Sequence, residues 1–218
     1  MVCGFLGSGK TTMIRELAAH MVRAKGRRVV ILENEVGEVG IDDLFLAGEG
    51  FQVKGILGGC ICCQLTGEVT AAVNEIGREF SPDAVVIEAT GVARPGSILK
   101  VLLKYGEGIE AVTVVDMVDA GRWEMLSEVV PGLILGQISE SDVVLVNKID
   151  ECEDELVENI RALVAAENPA ARIYAVSAAQ GLPSAILEEF GEGGEQEVSC
   201  ALSEKEKSTP EEGASCDA

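Results

Sequence analysis

The chain has 218 residues, and its 47% hydrophobic content includes only 4% aromatic residues, which favours one α/β domain with an aliphatic core. Its formal net charge of −20, from 17 basic and 37 acidic residues, argues against nucleic acid or an anionic membrane as the main partner. No apolar run reaches the roughly 18 residues of a membrane span and no leader pattern opens the sequence, so we expect a soluble, cytoplasmic protein whose cysteines are thiols or metal ligands.

Strand-like and helical patterns alternate along the chain. The strand-like runs are β-branched and almost wholly apolar, as in strands buried on both faces, and they lie at 27–33, 83–89, 110–116, 142–148 and 171–177. Amphipathic helical patterns lie at 11–25, 65–80 and 153–167. This alternation predicts an α/β fold with a mostly parallel sheet, helices on both faces, and ligands at the carboxyl ends of the strands.

The C-terminal segment 188–218 has a different composition from the rest of the chain. It is rich in Glu, Gly and Ser and has almost no apolar periodicity. Such a segment cannot bury enough apolar surface to offset the entropy of ordering it. We therefore predict a single domain over residues 1–187 and an acidic, disordered tail over 188–218.

The stretch GFLGSGKT at residues 4–11 matches G-x-x-x-x-G-K-[ST] in full and opens the first predicted helix. In this motif the backbone N–H groups surround phosphate oxygens, Lys10 reaches the β- and γ-phosphates, and the Thr11 hydroxyl binds Mg²⁺. Since only three residues precede it, either the leading strand is short or the chain has lost its N-terminus. The residues expected to bind nucleotide here are Gly4, Gly7, Ser8, Gly9, Lys10, Thr11 and Thr12.

The stretch NKID at residues 147–150 ends an apolar run and suits recognition of guanine. The Asp150 carboxylate can accept hydrogen bonds from the N1 and N2 donors of guanine, a pair that adenine lacks. Asn147 can bond the phosphate loop and the base, and the stem of Lys148 can lie over the ring. Ser177 and Ala178 follow the next strand, where the Ala178 N–H can meet guanine O6. These residues favour GTP over ATP.

Two acidic stretches complete the expected nucleotide site. Glu88 ends a predicted strand where a carboxylate can bind Mg²⁺, and the Gly91 N–H can contact the γ-phosphate. Between the second strand and the cysteines, Glu38 and Asp42 are the favoured switch residues, able to ligate Mg²⁺, orient the attacking water or complete a thiolate site. The alternative for this stretch is a solvated acidic loop.

The stretch GGCICC at residues 58–63 places three cysteines within four positions. Three thiolates, from Cys60, Cys62 and Cys63, suit a soft or borderline ion such as Zn²⁺ or Cu⁺ and leave a fourth coordination position open for transfer. Two alternatives stay open: a redox pair of Cys60 and Cys63, which have C-x-x-C spacing, and small buried side chains without a metal.

Together these motifs make the sequence resemble the CobW-type GTPases, the CobW/HypB/UreG group that includes the urease and hydrogenase nickel chaperones. The resemblance implies a P-loop NTPase fold and a GTPase whose nucleotide state governs metal binding and release. The C-terminal domain of full-length CobW-type proteins has no counterpart in this sequence. A G domain alone resembles the urease and hydrogenase chaperones, and that resemblance implies a nucleotide-dependent homodimer. The matching stretches are residues 4–12, 33–42, 58–63, 88–96, 114–116, 136–150 and 176–181.

We therefore predict a GTP- and Mg²⁺-dependent metallochaperone that binds zinc, or else cobalt or nickel, and delivers it to a client metalloprotein. Catalysis would rest on positioning and on charge stabilisation by Lys10 and Mg²⁺. Since no arginine finger is evident, intrinsic turnover should be slow. The alternatives are a regulatory G-protein switch with structural cysteines and an inactive, truncated G domain.

Overall fold

A computed structural model describes residues 1–33, 44–45, 52–55 and 65–191. Its strands are β1 (Val2–Cys3), β2 (Val29–Glu33), β3 (Leu44–Phe45), β4 (Gln52–Gly55), β5 (Ala84–Ile87), β6 (Val115–Asp119), β7 (Val143–Asn147) and β8 (Arg172–Val176). Its α-helices are α1 (Lys10–Lys25), α2 (Leu65–Phe80), α3 (Pro95–Tyr105), α4 (Trp123–Val129), α5 (Pro131–Ser139), α6 (Asp154–Glu167) and α7 (Ser184–Gly191). Short 3₁₀ turns lie at Ala120–Arg122 and Ile149–Glu151.

The strands form two four-stranded sheets, ordered β3-β4-β2-β5 and β1-β6-β7-β8. Every pairing is parallel except that of β3 with β4. An isolated parallel bridge between Val2 and Glu88 joins the two sheets, and the Ala89 N–H donates to the Val2 carbonyl at 2.9 Å. The short strand β1 therefore lies between β5 and β6, and the predicted mostly parallel sheet is confirmed.

Helices cover both faces of the strands, because alternate strand residues point to opposite sides. Buried residues of α1 and α7 pack on the face that includes Ile31 and Leu145. On the other face, α2 and α3 pack on a cluster that includes Leu32, whereas α4, α5 and α6 pack on one that includes Val146. The core is almost wholly aliphatic, as the composition predicts. No α-helix in the described part of the chain is long and apolar enough to cross a membrane.

Most predicted elements lie within two residues of their predicted bounds, and one strand does not. The run at 110–116 was expected to be a strand, but β6 spans Val115–Asp119. The reason is pairing: β6 starts where Val115 meets Val2 on one side and Val143 on the other. Upstream of it, the Val114 N–H donates to the Asp142 carboxylate at 2.7 Å. The correction matters because the strand therefore ends at Asp119, beside the phosphate loop.

Helices α3, α4, α5 and α7 were not among the predicted elements. The predicted domain boundary after residue 187 falls inside α7, which continues to Gly191. This end of α7 is held by packing, because Phe190 lies against the core and the Tyr174 hydroxyl donates to Glu189 Oε2 at 2.6 Å. The predicted disordered tail beyond this helix lies outside the described residues.

Candidate functional site

The phosphate loop connects β1 to α1 and depends on glycine at two crowded positions. Gly4 and Gly9 have φ angles of 125° and 102°, a region that residues with a side chain rarely adopt. A Cβ atom at Gly4 would lie 2.4 Å from the Met117 carbonyl oxygen, and one at Gly9 would lie 2.4 Å from Asn147 Nδ2. The loop therefore packs directly against β6 and against the end of β7.

Lys10 lies across this loop. Its Nζ donates to the carbonyls of Gly4, at 3.0 Å, and Phe5, at 3.2 Å, and the residue is only 6% exposed. Burial lowers the pKa of Lys10, while the nearby Glu88 carboxylate acts in the opposite direction. The ammonium group is thus held at the loop by carbonyls that an incoming phosphate can replace.

The two residues predicted to bind Mg²⁺ are brought together. The Thr11 hydroxyl, on the first turn of α1, lies 3.2 Å from both carboxylate oxygens of Glu88. Glu88 follows β5 and is fixed by its bridge to Val2. A hydroxyl and a carboxylate are the hard oxygen donors that Mg²⁺ prefers, so these two residues fit the ion. Thr12 is exposed on the same turn of α1.

Asn147 connects three parts of the predicted nucleotide site. Its Nδ2 donates to the Ser8 carbonyl at 2.7 Å, and its Oδ1 accepts from the Ala178 N–H at 2.8 Å. Asn147 is 2% exposed, so both bonds are shielded from water. The phosphate loop, the N-K-x-D stretch and the turn after β8 therefore meet at one edge of the sheet.

Several polar groups at this edge remain available to a ligand. The hydroxyls of Ser8 and Ser177 are buried and have no hydrogen-bond partner within the described part of the chain. Asp150 lies exposed in the 3₁₀ turn after β7. Lys148, immediately before that turn, has a left-handed backbone with a φ of 65°. The groups predicted to contact the base and the phosphates thus lie around one surface.

Asp119 and Arg122 were missed by the sequence-based predictions. Asp119 ends β6, is 2% exposed, and accepts from Lys148 Nζ at 2.7 Å and from Arg122 Nε at 2.8 Å. Burial raises the pKa of Asp119, but the hydrogen bonds from Lys148 and Arg122 outweigh it and hold the pKa below its ordinary value. Arg122 Nη2 also donates to the Leu6 carbonyl at 2.6 Å, so Asp119 links Lys148 to the phosphate loop.

A sequence signal for this link exists. The acid ends a strand next to β1, and the arginine follows it by three residues in V-D-A-G-R-W. The sequence shows no evident arginine finger, and the structure adds that Arg122 contacts the phosphate loop at the Leu6 carbonyl. Its guanidinium would lie 3.3 Å from a Cβ atom at Gly7.

The segment after Glu88 turns back onto the phosphate loop. The Ala93 N–H donates to the Thr90 carbonyl at 3.0 Å, which closes a tight turn around Gly91. A Cβ atom at Gly91 would lie 2.8 Å from the Leu6 backbone nitrogen, so only glycine fits there without a shift. The predicted γ-phosphate contact residue therefore lies beside the loop that would hold the phosphates.

A second buried acid lies under the loop. Asp116, the second residue of β6, is 2% exposed, and its Oδ1 has no hydrogen-bond partner among the described residues. Burial raises the pKa of Asp116 to about 7, although the Lys10 ammonium and the Met117 N–H oppose that rise. The neutral form of this carboxyl therefore persists well above the pH at which an exposed aspartate ionises.

The remaining predicted site residues lie outside the described residues: Glu38, Asp42, Cys60, Cys62 and Cys63. Within the ranges that the structure covers, no group of three or more His, Cys, Asp or Glu side chains could hold a metal ion. The thiolate site and the acidic switch therefore stay predictions from the sequence.

Comparisons with known proteins agree with this geometry. A family model described as "CobW/HypB/UreG, nucleotide-binding domain" matches residues 1–175. The zinc chaperone YeiR of Escherichia coli is 34% identical over 157 residues, which cover 71% of this chain and 47% of YeiR. The zinc chaperone CobW of Pseudomonas aeruginosa is 32% identical over 223 residues, covering 86% of this chain and 58% of that protein.

The chain thus spans about half the length of these curated relatives. Among solved structures, the hydrogenase maturation factor HypB from Archaeoglobus fulgidus is similar with a TM-score of 0.58 at 18% identity. The match covers 88% of this chain and 85% of HypB. This likeness confirms the P-loop GTPase fold.

Proposed function

The chain belongs to the CobW/HypB/UreG family of nucleotide-binding domains, and on that basis we propose that it is a GTP-hydrolysing metallochaperone. It binds GTP with Mg²⁺, carries a transition metal at Cys60, Cys62 and Cys63, and passes that metal to a client metalloprotein in a nucleotide-dependent way. Zinc is the favoured metal, because the relatives YeiR and CobW are named zinc chaperones. Cobalt and nickel are the alternatives.

One observation carries the nucleotide part of this proposal: the position of Asn147. Its side chain bonds Ser8 of the phosphate loop and Ala178 of the turn after β8. A single ligand at this edge would meet phosphate-binding N–H groups and the Asp150 carboxylate. The Ala178 N–H, which donates to Asn147 Oδ1 here, would exchange that acceptor for guanine O6. That set of donors and acceptors matches a guanine nucleotide, because the carboxylate accepts from N1 and N2 while O6 needs a donor.

Hydrolysis in this site would rest on charge and position. Thr11 and Glu88 would hold Mg²⁺, and the ion would supply positive charge to offset that of the phosphates. Lys10 supplies a cation at the phosphate loop, and Gly91 supplies an N–H beside it. Glu38 and Asp42 are the proposed switch residues that orient the attacking water. The guanidinium of Arg122 is bonded to Asp119 and to the Leu6 carbonyl, so we do not count it as an arginine finger and expect slow intrinsic turnover.

The metal is cargo in this proposal rather than a catalytic cofactor. Three thiolates bind a borderline ion firmly, and the open fourth position permits exchange with a receiving protein. GTP with Mg²⁺ would order the acidic switch and align the thiolates, and hydrolysis would release them. A nucleotide-dependent homodimer belongs to the same proposal, because it would bring two such sites together.

A metal titration with and without a non-hydrolysable GTP analogue tests the coupling. We expect zinc affinity to rise with the analogue and to fall in Cys62→Ala. Cys152→Ala is the matched control, because Cys152 is a free cysteine that does not belong to the C-x-C-C stretch of the sequence. A metal affinity that changes neither with the analogue nor in Cys62→Ala would favour the regulatory switch with structural cysteines. A chain that binds no GTP would favour the inactive G domain.

The base preference has a separate test. In Asp150→Asn the side chain presents an amide donor in place of one acceptor, which suits xanthine better than guanine. We expect this variant to lose GTP affinity and gain affinity for the xanthine triphosphate, while affinity for ATP stays low. An equal loss of affinity for GTP and for the xanthine triphosphate would show that Asp150 does not read the base.

A further inference from the structure

Helix α5 carries a fully buried glutamine that is not among the residues predicted to contact the nucleotide. Gln137 is 1% exposed, and its Nε2 donates to the Ala93 carbonyl at 2.9 Å and to the Gly91 carbonyl at 3.3 Å. Burying a primary amide costs free energy unless its hydrogen bonds are made. The energetic balance at Gln137 therefore depends on the turn around Gly91.

The same helix holds the other end of this segment. The Glu140 carboxylate, one turn beyond Gln137, accepts from the Gly96 N–H at 2.9 Å and pairs with the Arg94 guanidinium. Gly136 leaves space for that guanidinium, since a Cβ atom there would lie 2.8 Å from Arg94 Cζ. Gln137 of α5 and Glu140, which directly follows the helix, thus hold residues 91–96 at both ends.

The supported turn leaves little free space against the phosphate loop. The position of a Gly91 Cβ atom is 2.8 Å from the Leu6 nitrogen, so the two backbones are in direct contact. Helix α5 is itself anchored in the core through Ile134 and Ile138. The distance between the Gly91 N–H and the phosphate loop is therefore set by a rigid helix through Gln137.

We propose that Gln137 is a positioning residue that sets the preference of the site for a nucleoside triphosphate over a diphosphate. The inference rests on the proposed function, in which the Gly91 N–H contacts the γ-phosphate. GTP and GDP share the base, the ribose and two phosphates. Loss of a contact to any of those groups therefore weakens the binding of both nucleotides alike. A loosened Gly91 turn weakens only the contact that GDP does not make.

Gln137→Met is the sharpest variant, because methionine keeps the length and volume of the side chain and removes both donors. The dissociation constants of GDP and of a non-hydrolysable GTP analogue are measured by calorimetry with Mg²⁺ present. Loss of two neutral hydrogen bonds predicts about a tenfold fall in the preference for the analogue. The GDP constant should change by less than about twofold.

Asn168→Leu is the matched control. Asn168 Nδ2 also donates to two backbone carbonyls, those of Ile138 and Ser141, at 2.8 Å each, at the same end of α5 but without a bond to the Gly91 turn. This variant should lose stability to unfolding in urea yet keep the ratio of the two nucleotide affinities. If Gln137→Met does not fold, Glu140→Gln offers the second variant, because it weakens the ion pair to Arg94 and keeps an acceptor for the Gly96 N–H.

The possible results are separable. A wild-type chain that binds no guanine nucleotide removes both the proposed function and this inference. A wild-type chain that prefers the analogue, together with a Gln137→Met variant that weakens both nucleotides equally, removes only the inference. If Glu140→Gln lowers stability but leaves the preference for the GTP analogue over GDP unchanged, that result also removes the inference. A selective loss of analogue binding in Gln137→Met and not in Asn168→Leu supports the positioning role.

Discussion

Asp119→Asn is the most informative single change outside the glycine-rich loop. The variant keeps the shape of the side chain and removes a buried carboxylate that accepts from Lys148 at 2.7 Å and Arg122 at 2.8 Å. A fully buried pair that loses one partner costs about 3–5 kcal/mol. Here the cationic side chains are 28% and 36% exposed, so water compensates part of the loss. We expect a destabilisation of about 2 kcal/mol at neutral pH.

The pH dependence of this effect has a definite sign. The folded protein holds the pKa of Asp119 below its ordinary value, so the carboxylate stabilises the fold above pH 4 or so, the unfolded pKa. That stabilisation is lost as pH falls through the folded pKa. Urea unfolding of the wild type and Asp119→Asn should therefore differ most at pH 7 and converge only as the pH falls below the folded pKa of Asp119.

Asp83→Asn provides the control, because Asp83 pairs with Arg28 on the surface, where the two side chains are 42% and 64% exposed. The stability of Asp83→Asn should differ from that of the wild type far less. Asp119→Asn should also weaken GTP and GDP by similar factors, since Lys148 and Arg122 border the base and the phosphate loop rather than the γ-phosphate. An Asp119 variant as stable as the Asp83 variant at pH 7 would refute the reasoning.

Three further changes test the same site. Asn147→Ala leaves the Ser8 carbonyl and the Ala178 N–H without their partner; calorimetry should show loss of both guanine nucleotides, and urea unfolding should show a loss of about 2–4 kcal/mol. Gly9→Ala places a Cβ atom 2.4 Å from Asn147 Nδ2 at a φ of 102°, so nucleotide binding should fall at least tenfold while Gly26→Ala, with open space around it, should keep binding. Because the pKa of Asp116 is raised to about 7, the wild type should lose stability as pH rises from about 4 to 7, by up to roughly 4 kcal/mol, and Asp116→Asn should abolish that slope in urea titrations. A slope that persists in Asp116→Asn would assign it to another group.

The phosphate loop and the base-reading stretch could be predicted because each is contiguous in sequence and follows a strand. Lys10, Thr11 and Asn147 lie where the motif chemistry places them, at the carboxyl ends of β1 and β7. The pairing of Thr11 with Glu88 could also be expected, because parallel strands end at the same edge. Local sequence was sufficient for these residues.

The supporting contacts could not be predicted in the same way. Gln137 and Gly91 are 46 residues apart, and Arg122 and Leu6 are 116 residues apart, so no local spacing relates them. Helices α4 and α5 were missed because they are short, at 7 and 9 residues, and are separated only by Val130. The strand predicted at 110–116 was placed too early in the chain, because the apolar run begins before Val115, the first residue with strand partners. Tertiary pairing, rather than local preference, decides these cases.

The bridge between Val2 and Glu88 has a mechanical consequence. Strand β1 has two residues, so the half-sheets β3-β4-β2-β5 and β1-β6-β7-β8 meet along a very short seam. The site spans this seam, since Glu88 follows a strand of one half and Asn147 ends a strand of the other. A nucleotide bound by residues of both half-sheets would hold the two together. After its release, the half-sheets would be connected by the Val2–Glu88 bridge and the packing around it.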